Sequence, residues 1–290
     1  MVMATKTRVP THGNYHGYYN KRPATNDPRL GLVPRGLFVG ARVLDVGCNE
    51  GLVTCEIAQN LHAKRVIGVD IDDTLVSAAW KHRRSVWSQQ GPTHREDTQE
   101  DVRESSTSDS RKRRRISNSD TEAALSSQGG LANYFPVSFE HMFGPLPIPA
   151  SGANKDVADI FPHNVTFRTA DWVKEGIPED AEGYDVIVAF SISKWIHLNG
   201  GDESLRTFFR RVHEVLNPGG TFVLEPQGWD TYGKAKRMDS RLKENARHLL
   251  LRPDDFGRVL QEIGFGPAEH LGEAGEGGFR RPIDIYRKMQ

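Results

Sequence analysis

The run Asp45-Val46-Gly47-Cys48-Asn49-Glu50-Gly51 follows a short apolar stretch and opens a segment with helical spacing. Gly47 lets the backbone approach a ligand closely, and Gly51 lets a helix start tight against a sheet. Asn49 stands where many such loops carry glycine, and asparagine tolerates the left-handed conformation. The spacing is not G-x-G-x-x-G, so the pyrophosphate cradle of a dinucleotide is absent. Asp70 ends the next apolar run, where a carboxylate can accept hydrogen bonds from ribose hydroxyls. Asp171-Trp172 ends a third, where a carboxylate and a flat ring could meet the edge and face of adenine. Singly, an Asp at a strand end is as readily the cap of the next helix. Together the three describe an adenosine-shaped ligand without a pyrophosphate, and S-adenosylmethionine fits.

A second group of residues points to an anion. Lys194 follows the end of an apolar run in Ser191-Ile192-Ser193-Lys194-Trp195-Ile196-His197-Leu198-Asn199. A lysine there is either solvated or, beside a cofactor, a binder of negative charge. His197 has no partner at metal-ligand spacing, so no metal site is expected. Trp229 and Tyr232 precede Lys234, Lys236, Arg237, Arg241, Lys243, Arg247 and Arg252, opposed only by Asp239 and Glu244. That arrangement is either a charged solvent face or a platform that stacks a base and holds phosphates. The N-terminal Gly13-Asn14-Tyr15-His16-Gly17-Tyr18-Tyr19 lies among Lys6, Arg8, Lys21, Arg22, Arg29 and Arg35, against one acid, Asp27. Its tyrosines either pack on the domain or close over a site as a lid.

The elements that must position these groups alternate. Apolar runs at 42–46, 65–71, 165–169, 184–191 and 221–224 read as strands, and helical spacing covers 51–61, 74–87, 204–216 and 253–263. Asn217-Pro218-Gly219-Gly220 stops the third of these helices. Residues 268–271 and 282–286 can pair as a hairpin. Repeated strand–helix units imply a doubly wound, mostly parallel sheet, and a closing antiparallel hairpin is the habit of its methyltransferase version. The expected fold is therefore an α/β, seven-stranded sheet of the class I S-adenosylmethionine-dependent methyltransferase type.

Of 290 residues, 38 are Lys or Arg and 38 are Asp or Glu, which argues against a uniformly basic nucleic-acid wrapper. The hydrophobic share of 37% is low because residues 88–155 are polar and lack a sustained period. An insert of that kind interrupts a domain at 36–290, preceded by the arm at 1–35. No helix is expected over Asn133–Pro149. Within the insert, Arg111-Lys112-Arg113-Arg114-Arg115 is either a nuclear-import signal or a charge run that keeps a linker extended. No apolar run approaches the ~20 residues of a bilayer helix. Cys48 and Cys55 cannot make a disulfide framework, and the chain reads as intracellular.

Five blocks resemble one family: Gly13-Asn14-Tyr15 with Tyr18-Tyr19, Leu44–Asn49, Val69–Asp72, Ser193–Asn199, and Leu224-Glu225-Pro226-Gln227 with Trp229 and Tyr232-Gly233-Lys234. The chain resembles the bicoid-interacting RNA methyltransferases over nearly all of its length outside the insert. The resemblance implies cofactor contacts from Tyr18, Arg29, Gly47, Cys48, Asn49, Asp70, Ile71, Asp171, Trp172 and Phe190, with Arg29 clamping the carboxylate of S-adenosylmethionine. It implies methyl transfer to the γ-phosphate of a small non-coding RNA bearing a 5′ triphosphate, in the nucleus, with S-adenosylhomocysteine as product. On that reading Lys194 and Tyr15 grip the triphosphate and Tyr18 closes over the sulfonium. Trp229, Tyr232 and Lys234 hold the first nucleotide, and Trp195 and His197 face the RNA. An RNA-binding protein of the same ribonucleoprotein is a further expected partner. The alternatives are an RNA chaperone with little turnover, or a methyltransferase for a 5′-monophosphate RNA, a small molecule or a protein.

Overall fold

The computed structural model describes residues 10–15, 18–21, 27–89, 137–150, 158–275 and 280–289. The basic run 111–115, most of the expected insert, Lys6, Arg8 and Arg22 of the arm, and 276–279 of the hairpin turn lie outside the described residues. The chain divides into two units, residues 1–84 with 147–290, and residues 85–146.

The first unit is built on β1 (Arg42–Val46), β2 (Arg65–Asp70), β3 (Val165–Thr169), β4 (Tyr184–Phe190), β5 (Leu216–Glu225), β6 (Glu269–Ala274) and β7 (Arg281–Arg287). Their order across the sheet is β3-β2-β1-β4-β5-β7-β6. The first five run parallel, and β7 inserts antiparallel between β5 and β6. This is the expected methyltransferase form of the doubly wound sheet. Strands β1, β2 and β4 are buried on both faces, which is why they read as continuous Val, Ile and Leu rather than as alternation. The register between β4 and β5 jumps from Tyr184↔Leu216 to Val186↔Thr221. The predicted helix stop, Asn217–Gly220, is thus absorbed as a bulge in the pairing.

Helices α1 (Pro28–Leu32) and α2 (Leu52–Asn60) belong to the first unit, α3 (Asp73–Ser88) runs from it into the second, and α4 (Val137–Phe143) lies in the second. Helix α4 is a correction to the expected absence of a helix there. It carries an i,i+4 ring pair, Phe139 and Phe143, with centroids 5.8 Å apart. The first unit continues with α5 (Ser193–Val215), α6 (Tyr232–Ala235), α7 (Ser240–Asn245) and α8 (Phe256–Ile263). Helix α5 starts eleven residues before its periodic stretch and turns at Gly201, φ 74°. Beyond that turn Leu205, Phe208, Phe209 and Val212 form one buried face against Phe222 and Phe256. Burying each such side chain contributes about 1.5–3 kcal/mol, which sets the helix firmly on the sheet. No helix among the described residues is long and apolar enough to cross a membrane.

Candidate active site

A cavity of about 790 Å³ is bordered by Val46, Asp70 and Phe190, the last residues of β1, β2 and β4. Strand order reverses between β1 and β4, so this is the crevice where open α/β sheets hold ligands. Gly47, Asn49 and Gly51 adopt φ of 79°, 52° and 77°. A Cβ on Gly47 would lie 2.2 Å from Ile192 Cγ2, and one on Gly51 would lie 2.7 Å from the Phe167 ring. Both glycines are therefore required by space as well as by conformation.

Asp70 ties the loop to the end of β2. Its Oδ2 accepts the Asn49 backbone N–H at 2.9 Å and its Oδ1 accepts that of Asp72 at 3.0 Å. Burial pushes its carboxyl upward, against those two bonds. The Asn49 side chain caps the turn by accepting from the Glu50 N–H at 2.9 Å and donates to the Tyr15 carbonyl at 3.4 Å. Ile71 and Asp171 border the cavity, the latter paired with Lys174 at 2.8 Å. Two of the expected cofactor residues are packed inward here. Cys48 is buried, and its thiol lies toward the Asn49 carbonyl rather than along the cavity wall. Trp172 touches the cavity but belongs to the core, edge-on to Phe208, with its N–H donated to Asp180 at 3.0 Å. Its ring is accordingly not an open plate for adenine.

Arg29 also borders the cavity, and its guanidinium is forked onto Asp27, Nε to Oδ1 at 2.8 Å and Nη2 to Oδ2 at 2.6 Å. Its Nη1 donates to Glu225 Oε2 at 3.0 Å, and the group lies 4.5 Å from the Phe190 ring centroid. Only 1% exposed, such a charge is stable because both carboxylates surround it. Arg29 thereby fixes Glu225, at the end of β5, beside the cavity.

Glu225 and Gln227, both buried, shape the neighbouring turn. The Gln227 amide donates to the Ser191 carbonyl, while its oxygen accepts from the Lys194 N–H at 3.0 Å and the Ser193 hydroxyl at 3.1 Å. This clasp satisfies the first turn of α5 and turns Lys194 toward the cavity. The Lys194 amine is 3.2 Å from Thr231 Oγ1 and 5.1 Å from the Trp195 ring centroid. Burial first, then Arg281, lowers it to about 8, with Asp230 acting in the opposite direction. Arg281, from the first position of β7, borders the same cavity, with Nη1 2.5 Å from Ser191 Oγ and 3.8 Å from Glu225 Oε1.

Residues 12–15, 18 and 19 line a further wall. Gly13 lies against the Trp195 indole, and Tyr15 meets that ring edge-on at 5.7 Å. Asn14 Nδ2 donates to Asp72 Oδ2 at 2.6 Å, and Asn199 Nδ2 to the Thr11 carbonyl at 2.8 Å. Burial pushes the Tyr15 phenol upward. Tyr18 borders the cavity with its hydroxyl 3.2 Å from Ser191 Oγ.

The expected RNA-facing set is divided. Lys194, Trp195 and Lys234 border the cavity, Trp195 being also the seat of the arm. His197 does not: it is fully buried, with Nδ1 3.2 Å from the Tyr232 hydroxyl and Nε2 2.7 Å from Asp202 Oδ1. Tyr232 is buried with it, inside a small apolar cluster with Trp195, Leu198 and Leu242. Trp229 is 37% exposed but stands off the cavity, with the Arg252 guanidinium 3.8 Å from its ring centroid. Ser191, Glu225, Gln227 and Arg281 join the site unannounced by spacing, because their partners lie about thirty or more positions away.

Residues 184–288 match the family model described as Bicoid-interacting protein 3 (Bin3), and residues 44–105 match a methyltransferase domain model. Over 290 residues the chain is 33% identical to the 7SK snRNA methylphosphate capping enzyme of Mus musculus, covering 96% of this chain and 41% of that protein. It is 31% identical to a probable RNA methyltransferase of Arabidopsis thaliana, over 95% of this chain and 80% of that one. It is also 28% identical to the U6 snRNA methylphosphate capping enzyme Amus of Drosophila melanogaster, over 96% and 74%. The chain spans about two fifths of the length of the mouse protein it matches. With the relatives, the family model and the strand order in agreement, this chain belongs to the bicoid-interacting protein 3 family of methyltransferases.

Proposed function

We propose that this protein transfers a methyl group from S-adenosylmethionine to a 5′-terminal phosphate oxygen of a small non-coding RNA, the γ-phosphate of a triphosphate end. The observation that carries the reading is the convergence of Lys194 and Arg281 on a cavity whose other wall is the Asp70–glycine-loop corner. Asp70 keeps lone pairs beyond its two backbone bonds and suits ribose hydroxyls. Arg29 borders the same cavity, and three of its five N–H donors hold Asp27 and Glu225. S-adenosylmethionine supplies an electrophilic methyl on a positively charged sulfur.

The residues of this chain have a positioning task. A terminal phosphate oxygen is anionic at neutral pH, so no general base is needed. Lys194 and Arg281 attract the phosphate and orient one oxygen toward the methyl group. Lys194 touches an oxygen other than the attacking one, because direct pairing would damp its nucleophilicity. Orientation of this kind lowers a barrier by up to about 7–11 kcal/mol. The basic residues from Lys234 onward extend the attraction along the RNA. We further assign the run 111–115 to nuclear import, on its five consecutive cations in a polar segment.

The test offers labelled S-adenosylmethionine with RNA ending in a 5′ triphosphate, a 5′ monophosphate or a 5′ hydroxyl. The expected product carries one methyl on the triphosphate terminus and resists phosphatase. Transfer to the monophosphate end alone would move the assignment to that substrate. Transfer insensitive to ribonuclease would overturn the RNA reading.

A further inference from the structure

Ser191 stands at the end of β4 with φ 62°, a left-handed backbone that a residue with a Cβ seldom adopts. The strain is held from β5: Gln227 donates its amide to the Ser191 carbonyl, and the Ser191 N–H reaches the Glu225 carbonyl at 3.4 Å. The conformation delivers Ser191 Oγ to three groups at once. Glu225 Oε2 lies at 2.6 Å, Arg281 Nη1 at 2.5 Å and the Tyr18 hydroxyl at 3.2 Å.

A serine hydroxyl has one proton to donate and two lone pairs to accept with. Arg281 can only donate, so it takes one lone pair. Glu225, set between the guanidiniums of Arg29 and Arg281, accepts, so it takes the proton. What remains on Ser191 is a lone pair, and Tyr18 must therefore be the donor in its bond. With its proton turned onto Ser191, the Tyr18 phenol oxygen has only lone pairs to offer any further partner. Lone pairs attract a cationic centre and repel a phosphate.

We infer that Ser191 is a positioning residue that orients the Tyr18 proton, so that Tyr18 faces the charged sulfur while Lys194 and Arg281 hold the phosphate. The inference rests on the proposed function for the identity of the two ligands, and on hydroxyl valence for the orientation. It makes Ser191 the point at which the arm, β5 and β7 agree on polarity.

Two measurements on the full chain test it. Calorimetry compares S-adenosylmethionine with S-adenosylhomocysteine, whose sulfur is neutral, for wild type, S191A, S191G, Y18F and S191A/Y18F. The preference for the charged sulfur should fall about three- to tenfold in S191A and Y18F, the range of one hydrogen bond, and no further in the double variant. S191G relieves the backbone strain and should fall equally, so the effect belongs to the hydroxyl. An unchanged preference in S191A, or full additivity in the double variant, overturns the inference. Amide exchange of residues 10–15 and 18–21 in ligand-free protein is the second readout. Protection should drop in S191A and S191G while β1 and β2 keep theirs; arm exchange equal to wild type overturns it. A wild-type chain that binds neither ligand would instead remove the proposed function, and the exchange readout would still decide whether Ser191 holds Tyr18 in place.

Discussion

Lys194 combines burial with a neighbouring guanidinium, and its amine is lowered to about 8. Below that pH it is charged and attracts a phosphate; above it the attraction is lost. The kcat/KM for 5′-phosphorylated RNA should therefore fall as pH rises through about 8, and the falling limb should vanish in K194R, since arginine stays charged. Stability runs the other way. The unfolded amine keeps its ordinary value near 10.5, so between about 8 and 10.5 the unfolded chain binds more protons and Lys194 makes the fold more stable as pH rises. Denaturant titrations of wild type and K194M at pH 8 and 10 would show that gain in wild type alone. His197 makes the opposite kind of case. H197A leaves the Tyr232 hydroxyl and an Asp202 oxygen without their bond to the ring and opens a buried cavity. It should cost about 2–4 kcal/mol in urea unfolding while leaving the RNA affinity of the folded fraction unchanged. K234A should do the reverse, sparing stability and weakening RNA binding with a shallower salt dependence.

At the scale of elements, the glycine loop and the head of α5 are mutually fitted. Gly47 faces Ile192, the residue just before α5, with no room for a methyl group. G47A adds both a left-handed strain and an overlap with Ile192, and should destabilise the fold by about 2–4 kcal/mol in equilibrium unfolding. Gly47, Asn49 and Gly51 were legible as a ligand turn because their requirement is local and conformational. The strands were legible for a related reason, since burial on both faces leaves an unbroken apolar run that needs no knowledge of neighbours. The head of α5 was not legible. Ser193–Asn199 mixes Lys194 toward the cavity with His197 and Leu198 toward the interior, and what sorts them is Gln227, Tyr232 and Asp202. A histidine beside a lysine in an RNA-like block looks like a contact residue until its two ring nitrogens are seen to be occupied. Arg29 was legible only in part: the resemblance puts it at the cavity, where it lies, but its bonds to Asp27 and Glu225 appear only in the fold. Helix α4 escaped notice because it has no buried residue, and so no apolar period to detect.

At the scale of the whole molecule, every described residue bordering the cavity lies in the unit formed by residues 1–84 and 147–290. Replacing residues 91–136 with a shorter glycine–serine linker should leave the affinity for S-adenosylhomocysteine within about twofold of wild type by calorimetry, since the described residues that border the cavity are all retained. The same replacement removes the run 111–115 and should abolish nuclear accumulation of a fluorescent fusion, which separates the catalytic unit from its address.

The insertion of β7 between β5 and β6 has a consequence for biosynthesis. A ribosome delivers β1 through β5 well before Arg281–Arg287, and until those residues emerge the hydrogen-bonding edge of β5 has no neighbour on that side. The nascent protein also lacks the guanidinium that shares the phosphate side of the pocket with Lys194. On the proposed function a partly translated copy is thus held short of capturing transcripts, and the pocket's cationic side is finished only when the penultimate strand of the sheet slides into its slot.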